Sequence, residues 1–114
     1  MESRATLRYN RQSPYKVRKV LNAVRGFSVG NAINYLHFSS EKASVAIEKT
    51  IKSAAANLMQ NDEASGIDPD SLKIKEAYVN QGPVMKRFRA ASMGRASRLR
   101  RPSSHLTIVL TTEY

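Results

Sequence analysis

The fold prediction depends mainly on one stretch of the sequence, MKRFRAASMGRASRLRRP, at residues 85–102. It carries seven Lys or Arg residues and no acidic residue. It is not a tail, because residues 105–112 follow it with the β-branched, alternating pattern of a buried strand. A second strand is predicted before it, over 72–80, where the imperfect alternation indicates a β-bulge or burial of both faces. Both ends of the basic stretch are therefore tied to predicted core strands.

The 24 residues from 81 to 104 allow three interpretations. A helix is disfavoured, because Gly94 interrupts the segment and no apolar stripe runs along it. A structureless loop of this length is uncommon in a compact domain unless it is functional. The third interpretation is a two-stranded ribbon that turns near 90–94 and projects on the order of 30 Å, at about 3.3 Å per residue. We favour the ribbon, and composition alone leaves open a disordered loop that orders on binding.

The first predicted helix lies between Ser13 and Gly26. Ser13 is expected to cap its first turn, Pro14 suits the first helical position, and Gly26 is placed to end it in a left-handed conformation. Its apolar stripe consists of Val17, Val20, Leu21 and Val24. Its basic residues off that stripe are Lys16, Arg18, Lys19 and Arg25. One face therefore suits a core and the other suits phosphate groups.

The rest of the first half is predicted to contain a short strand and two more helices. The strand covers 6–9, with Leu7 and Tyr9 on one face. Ser28 is expected to cap the second helix, and residues 39–41 to open the third, which ends before an Asp-rich loop that begins at 61. The inward residues of the second helix would be Ala32, Ile33 and Leu36, and those of the third Ala43, Ala46, Ile47, Ile51, Ala54 and Leu58.

This order predicts an α+β fold, with three helices packed on a small antiparallel sheet and a long basic β-hairpin between the last two strands. The 114 residues would form one domain, 1–114, with a globular body at 1–83 and 104–114 and an extended hairpin at 84–103. A hydrophobic fraction of 41% is sufficient for a folded core.

The net charge of +10 is concentrated in two segments. Residues 1–26 carry +6 and residues 85–102 carry +7, whereas the middle of the chain, 27–84, carries −2. Such clustering indicates a polyanionic partner, most commonly nucleic acid, whereas a merely solubilising surface mixes signs. No Cys is present, no apolar run is long enough to span a bilayer and no apolar secretory signal opens the chain, so we expect an intracellular protein without disulfides.

No constellation of residues in the sequence supports catalysis. His37 and His105 lack further ligands at metal-binding spacing, and the acidic loop residues Asp68 and Asp70 lack the pattern of a calcium site. Ser103 and Ser104 beside a histidine do not by spacing make a nucleophile and base. We therefore predict no metal, no cofactor and no enzymatic activity.

Basic residues of both segments are the candidate nucleic-acid-binding residues, because Lys and Arg pair with phosphates and Arg also stacks on bases. Phe88 either stacks on a base or braces the ribbon across its strands. The candidates are Arg8, Arg11, Lys16, Arg18, Lys19, Arg25, Lys86, Arg87, Phe88, Arg89, Arg95, Arg98, Arg100 and Arg101.

Five motifs, in this order and at this spacing, resemble the bacterial form of the large-subunit ribosomal protein family numbered twenty-two. They are SPYKVRKVLNAVRG at 13–26, AAANLMQND at 54–62, GPVMKR at 82–87, GRASR at 94–98 and SHLTIVL at 104–110. The resemblance implies a body on the outside of the large ribosomal subunit and a hairpin threaded through ribosomal RNA to the wall of the nascent-peptide exit tunnel.

The resemblance also assigns parts of the hairpin. Residues 85–88 would lie on the outgoing arm and 98–101 on the returning arm. The tip at the tunnel would comprise Arg89, Ala90, Ala91, Ser92, Met93, Gly94 and Arg95. Family members often carry a Pro and a Lys in the tip, where this chain has RAASM at 89–93, so the tip is where the chain departs from the pattern.

The implied partners are large-subunit ribosomal RNA, neighbouring ribosomal proteins and the nascent peptide near the tip, with no membrane and no small-molecule substrate. The implied location is the cytoplasm, within the ribosome, and an organellar ribosome is the alternative. A different class of function, an architectural DNA-binding protein with a β-ribbon arm, also fits a basic hairpin. Its tip would normally carry a Pro or a large apolar wedge, which the sequence AASMG at 90–94 lacks.

Overall fold

Three helices and a three-stranded antiparallel sheet make up the body of the protein in the computed structural model, which describes residues 2–60, 68–90, 94 and 96–112. The strands are β1 (Glu2–Asn10), β2 (Lys73–Gln81), β3 (Met85–Ala90), β4 (Ala96–Arg101) and β5 (Ser104–Thr111). The helices are α1 (Pro14–Val24), α2 (Val29–His37) and α3 (Ala43–Met59), and a short 3-10 turn covers Pro69–Ser71. The predicted α+β fold is confirmed.

The last strand, β5, is the centre of the sheet, whose order is β1-β5-β2. Leu106, Ile108 and Leu110 of β5 are fully buried against the helices, as the alternation in the sequence predicts. The helices complete this core with their apolar stripes, chiefly Val17, Leu21, Val24, Leu36, Ile47, Ile51, Ala54 and Leu58. The helices α1 and α3 therefore cover one face of the sheet, and α2 packs against α3.

The strand β1 is longer than predicted, and its residues face differently. Ala5 and Leu7 point toward the core, but the pairing with β5 shifts register between Leu7 and Asn10. Tyr9 lies in that shift with a φ of +57° and is 66% exposed, so the prediction that it shares the face of Leu7 is wrong. The irregularity breaks the two-residue period that the prediction assumed.

The predicted ends of α1 are correct in position, but the capping differs. Pro14 is the first helical residue, and Gly26 follows the helix with a φ of +81°. Ser13 occupies the N-cap position, yet its side chain makes no capping hydrogen bond, so that part of the prediction is wrong. Ser is favoured at the position before a helix, but this preference does not ensure that its side chain adopts the rotamer that caps the helix.

The start of α3 also differs from the prediction, whereas α2 begins as predicted. The Ser28 hydroxyl accepts a hydrogen bond from the Asn31 N–H and caps α2. The Ser39 hydroxyl instead accepts from the Glu41 N–H, which closes a turn ahead of α3. The N-cap of α3 is therefore Lys42, and the prediction that 39–41 open the helix is wrong.

The strand β2 contains the predicted bulge, a register shift between Ile74 and Glu76 in its pairing with β5. The extra residue brings Ile74, Ala77 and Val79 all onto the core face. The predicted acidic loop falls mostly at 61–67, outside the described residues.

Beyond the body, β3 and β4 pair as an antiparallel ribbon from Met85 opposite Arg101 to Ala90 opposite Ala96. Of the three interpretations of this segment, the structure has the ribbon. The hairpin gives the molecule principal extents of 66 × 25 × 17 Å. The predicted tip residues Ala91, Ser92, Met93 and Arg95 lie outside the described residues, and Gly94 has a φ of +73°.

Candidate nucleic-acid interface

A basic cleft of about 1140 Å³ lies where the hairpin leaves the body. We call it the hairpin-base cleft, and its cationic residues are Arg11, Lys16, Lys19, Lys42 and Arg101. Glu41 also lines it and pairs with Lys19 at 3.5 Å. Cations from the start of the chain, from the N-cap of α3 and from the end of β4 therefore meet at one place.

The N-terminus of α1 opens onto this cleft through Ser13. Since the Ser13 side chain makes no capping hydrogen bond, the positive end of the helix is not neutralised by its own cap. This adds to the positive potential that the lysine and arginine side chains create.

Lys42 is the one cation of the hairpin-base cleft that is absent from the residues predicted from the sequence. Its own segment, 27–84, is nearly neutral, so no local charge cluster draws attention to it. Only the packing of the start of α3 beside α1 brings it to the cations of the N-terminal segment.

Two candidate RNA-binding residues, Arg18 and Arg25, contact the protein instead of lining the cleft. The Arg18 Nη2 donates to the Val79 carbonyl at 2.9 Å. Arg25 donates to the Ala77 carbonyl from Nε at 3.2 Å and from Nη2 at 2.8 Å. Both guanidinium groups thus cover outward carbonyls of the edge strand β2, where unpaired groups would otherwise invite strand addition.

Arg8 also lies apart from the cleft, on the face of the sheet that carries no helix. A shallow depression of about 430 Å³ there brings it beside Arg4, Tyr9, Tyr78 and His105. We call these five residues the sheet platform. Arg8 is the only one of these five residues that was predicted from the sequence to bind RNA.

The hairpin carries the other candidates at register positions on both of its faces. Lys86, Phe88, Arg98 and Arg100 occupy one face, and Arg87, Arg89 and Arg101 the other. Lys86 lies directly opposite Arg100, a like-charge pairing that destabilises an isolated ribbon. Arg89 pairs with Ser97 within the ladder, and Arg95 lies outside the described residues.

The carboxyl group of Glu2 has a perturbed pKa. Lys75 on β2 donates a hydrogen bond to the Glu2 carboxylate on β1, which lowers the pKa of Glu2 below its usual value. This acid is thereby satisfied within the body and takes no part in the cleft.

The histidines have structural partners. The Nδ1 atom of His105 accepts a hydrogen bond from the Tyr9 N–H at 3.0 Å, and that of His37 lies 3.9 Å from the Glu48 carboxylate. In the described part of the chain, no group of three or more His, Asp or Glu residues is placed to hold a metal ion. Among those same residues, no helix is both long and apolar enough to cross a membrane.

Comparison with known proteins gives one consistent result. The family described as ribosomal protein L22p/L17e matches residues 5–111. Proteins named large ribosomal subunit protein uL22 are 45% identical in Magnetococcus marinus, over 96% of this chain and 94% of the relative, and 46% identical in Desulfatibacillum aliphaticivorans, over 96% and 98%. The relative of that name in Syntrophotalea carbinolica is 47% identical over 96% of this chain and 97% of its own length. The chain therefore belongs to the ribosomal protein L22p/L17e family, structural and non-enzymatic components of the ribosome, as its motifs predict.

Proposed function

We propose that this structural constituent of the large ribosomal subunit works in the cytoplasm and binds ribosomal RNA through the hairpin-base cleft and the hairpin. The observation that carries the proposal is the continuity of positive charge between the two. Arg101 belongs both to the last position of the β4 arm and to the cleft lined by Arg11, Lys16 and Lys42. A phosphate backbone following this track would meet cations from body to ribbon.

The proposed mechanism is neutralisation of closely packed phosphates. RNA segments that approach one another repel through their backbones, and Lys and Arg contacts relieve that repulsion while releasing counterions. A ribbon with cations at register positions on both faces suits a surrounding of RNA on several sides better than a single RNA surface. The RNA in turn would offset the like-charge pairing of Lys86 with Arg100 and stabilise the ribbon. In this way the protein would support assembly of the subunit.

The finer part of the proposal places the hairpin tip, residues 89–95, at the wall of the nascent-peptide exit tunnel. Its support is the family membership and the length of the molecule, whose longest extent is 66 Å. A body at the subunit surface could thus reach deep into the particle with its ribbon.

The main test is association with ribosomes. We expect tagged protein to sediment with large subunits at one copy per particle and to remain bound after a moderate salt wash. Recovery of the protein only in a free or DNA-bound pool would contradict the proposal. In competition binding at matched salt, structured large-subunit RNA should displace the protein from duplex DNA, and the opposite ranking would favour an architectural DNA-binding role.

The placement of the tip needs its own experiment. A photo-reactive amino acid in place of Ala91 should crosslink to a stalled nascent chain in translating ribosomes. The same group in place of Lys52, an exposed residue on α3, serves as the control and should give no nascent-chain adduct. If both positions crosslinked to RNA and neither to the nascent chain, the tunnel assignment would be contradicted. The proposed RNA-binding role would be unaffected.

A further inference from the structure

The face of the sheet opposite the helices carries a set of side chains that the hairpin and the cleft do not use. Tyr78 lies across Thr107 from Thr6, and His105 lies beside Asn80 in the next row. Tyr9 lies next to His105, with ring centroids 4.9 Å apart in a T-shaped arrangement. Three aromatic rings are thus gathered on one sheet face, where they line the depression of about 430 Å³.

The irregular end of β1 is what brings Tyr9 to this face. Its φ of +57° is unfavourable for a side chain of this size, and the register shift before Asn10 turns the chain there. The Tyr9 N–H is held by Nδ1 of His105 at 3.0 Å, so the turned backbone has a specific partner. Because Nδ1 of His105 is the acceptor, the N–H donor of the ring lies on Nε2. The strained backbone conformation of Tyr9 thus directs its aromatic ring onto the sheet face that carries no helix.

The charge at the depression is positive. Arg4 and Arg8 are both exposed and both line it, and none of its lining residues is acidic. Glu76 lies one row away, across Val109 from Arg4, and Glu2 at the end of β1 is paired with Lys75. Cations therefore flank the aromatic rings on the β1 side.

We propose that the sheet platform is a second RNA-binding site, which stacks an unpaired, splayed-out nucleobase on Tyr78, Tyr9 or His105 and binds the adjoining phosphates through Arg4 and Arg8. This inference rests on the proposed function, since it assumes that the protein meets folded RNA. Sequence-tolerant stacking on aromatic rings, with cations along the backbone, is how open sheet faces take single-stranded nucleic acid.

RNA suits this surface better than a protein segment does. A peptide adds to a sheet through the backbone groups of an edge strand, whereas the platform lies on a face and spans all three strands. Paired duplex would present phosphates but no base faces, so it would leave the rings unused. A base from a loop or bulge uses both the rings and the arginines.

Tyr78 provides the test of stacking. Binding of full-length protein to a transcript of bacterial large-subunit ribosomal RNA should weaken about fivefold or more for Tyr78→Leu and stay at the unsubstituted level for Tyr78→Phe, which keeps the aromatic face. Thermal unfolding of each variant checks the fold. If Tyr78→Leu unfolds too early to measure, crosslinking of a 4-thiouridine-substituted transcript to the unsubstituted protein replaces it, with adducts expected on the peptides that carry Tyr9, Tyr78 or His105.

A pair of double variants separates this site from the cleft. Arg4→Ala with Arg8→Ala should reduce the slope of log affinity against log salt by about 1.4 to 1.8, as should Arg11→Ala with Lys16→Ala in the cleft. A platform variant that binds like the unsubstituted protein, while the cleft variant is weakened, would overturn this inference and leave the proposed function intact. Crosslinks in intact subunits that join the platform to a protein rather than to RNA would also overturn it. Failure of the unsubstituted protein to bind the transcript would overturn the proposed function itself.

Discussion

Gly82 shows how a single residue joins the hairpin to the body. Its N–H donates to the Ser103 carbonyl at 2.9 Å, and the Ser103 hydroxyl donates to the Pro83 carbonyl at 2.6 Å. A Cβ atom at Gly82 would lie 2.6 Å from the Ser103 Oγ and 3.2 Å from its carbonyl carbon. Glycine is therefore required here by close backbone approach, between the end of β2 and the start of β5.

We expect Gly82→Ala to lower the free energy of unfolding by about 1–3 kcal/mol, because the new methyl group must push the two segments apart. Urea unfolding followed by circular dichroism would measure the change. Ser103→Ala alone should cost about 1 kcal/mol, because the hydrogen bond to the Pro83 carbonyl is removed. The double variant should be destabilised by less than the sum of the two single variants, because the Ser103 hydroxyl that the new methyl group would contact is gone. Strict additivity would mean that the two residues do not touch.

At the scale of elements, two sets of cations on α1 and its C-cap lie in different surroundings. Arg18 and Arg25 bind carbonyls of β2, whereas Lys16 lines the cleft. Their sequence spacing alone does not separate them, because all three lie off the apolar stripe. The structure separates them, because the edge strand β2 passes beside only part of the helix.

Removing the first set should therefore affect stability. We expect Arg18→Ala and Arg25→Ala each to lower the free energy of unfolding by about 1–2 kcal/mol, because a hydrogen bond from a charged group contributes about 1.5–3 kcal/mol and exposure to solvent weakens it. Lys16→Ala is the matched control on the same helix and should change stability by less than about 0.5 kcal/mol while weakening RNA binding. Equal destabilisation in all three variants would contradict this division.

The ribbon of β3 and β4 is the second element with a separable task. Replacing Arg98, Arg100 and Arg101 by Ala should weaken binding to large-subunit RNA. It should also flatten the salt slope by about 0.7–0.9 for each phosphate that the variant no longer neutralises. Replacing the same three by Lys keeps the charge and should keep the slope.

The same alanine variant also tests our proposal that 1–83 and 104–114 fold as a body distinct from the hairpin at 84–103. Lys86 and Arg101, the residues of β3 and β4 whose burial the structure describes, are exposed and lie outside the core cluster, so thermal unfolding should stay within a few degrees of the unsubstituted protein. A collapse of the thermal transition would show that these arginines belong to the architecture of the body.

At the scale of the whole molecule, shape and charge point to the same partner. The Cα radius of gyration is 17.3 Å, whereas a compact domain of this length would have about 13 Å. An elongated, strongly basic molecule exposes much surface for its mass, which suits a protein embedded in RNA better than one that works as a free globule.

We expect the free protein in moderate salt to keep this extended shape, because like charges along the ribbon repel and oppose its collapse onto the basic cleft. Small-angle X-ray scattering of the protein without RNA should give a radius of gyration close to the 17.3 Å of the structure. A value near that of a compact domain, about 13 Å, would mean that the hairpin folds back on the body before it meets RNA.

The sequence by itself determined the element order, the buried strand at 105–112, the family and, through the resemblance to that family, the projecting ribbon. These rest on local patterns, since helical and strand periodicity, Gly26 and the two charge clusters are readable without knowing what packs against what. Only the tertiary structure decided where each cation lies. Arg18 and Arg25 went to an edge strand more than fifty residues away, Lys42 joined the cleft, and a register shift turned Tyr9 onto the open face. Contacts between distant segments fix these positions, and no short-range pattern encodes which part of the fold a charged side chain will meet.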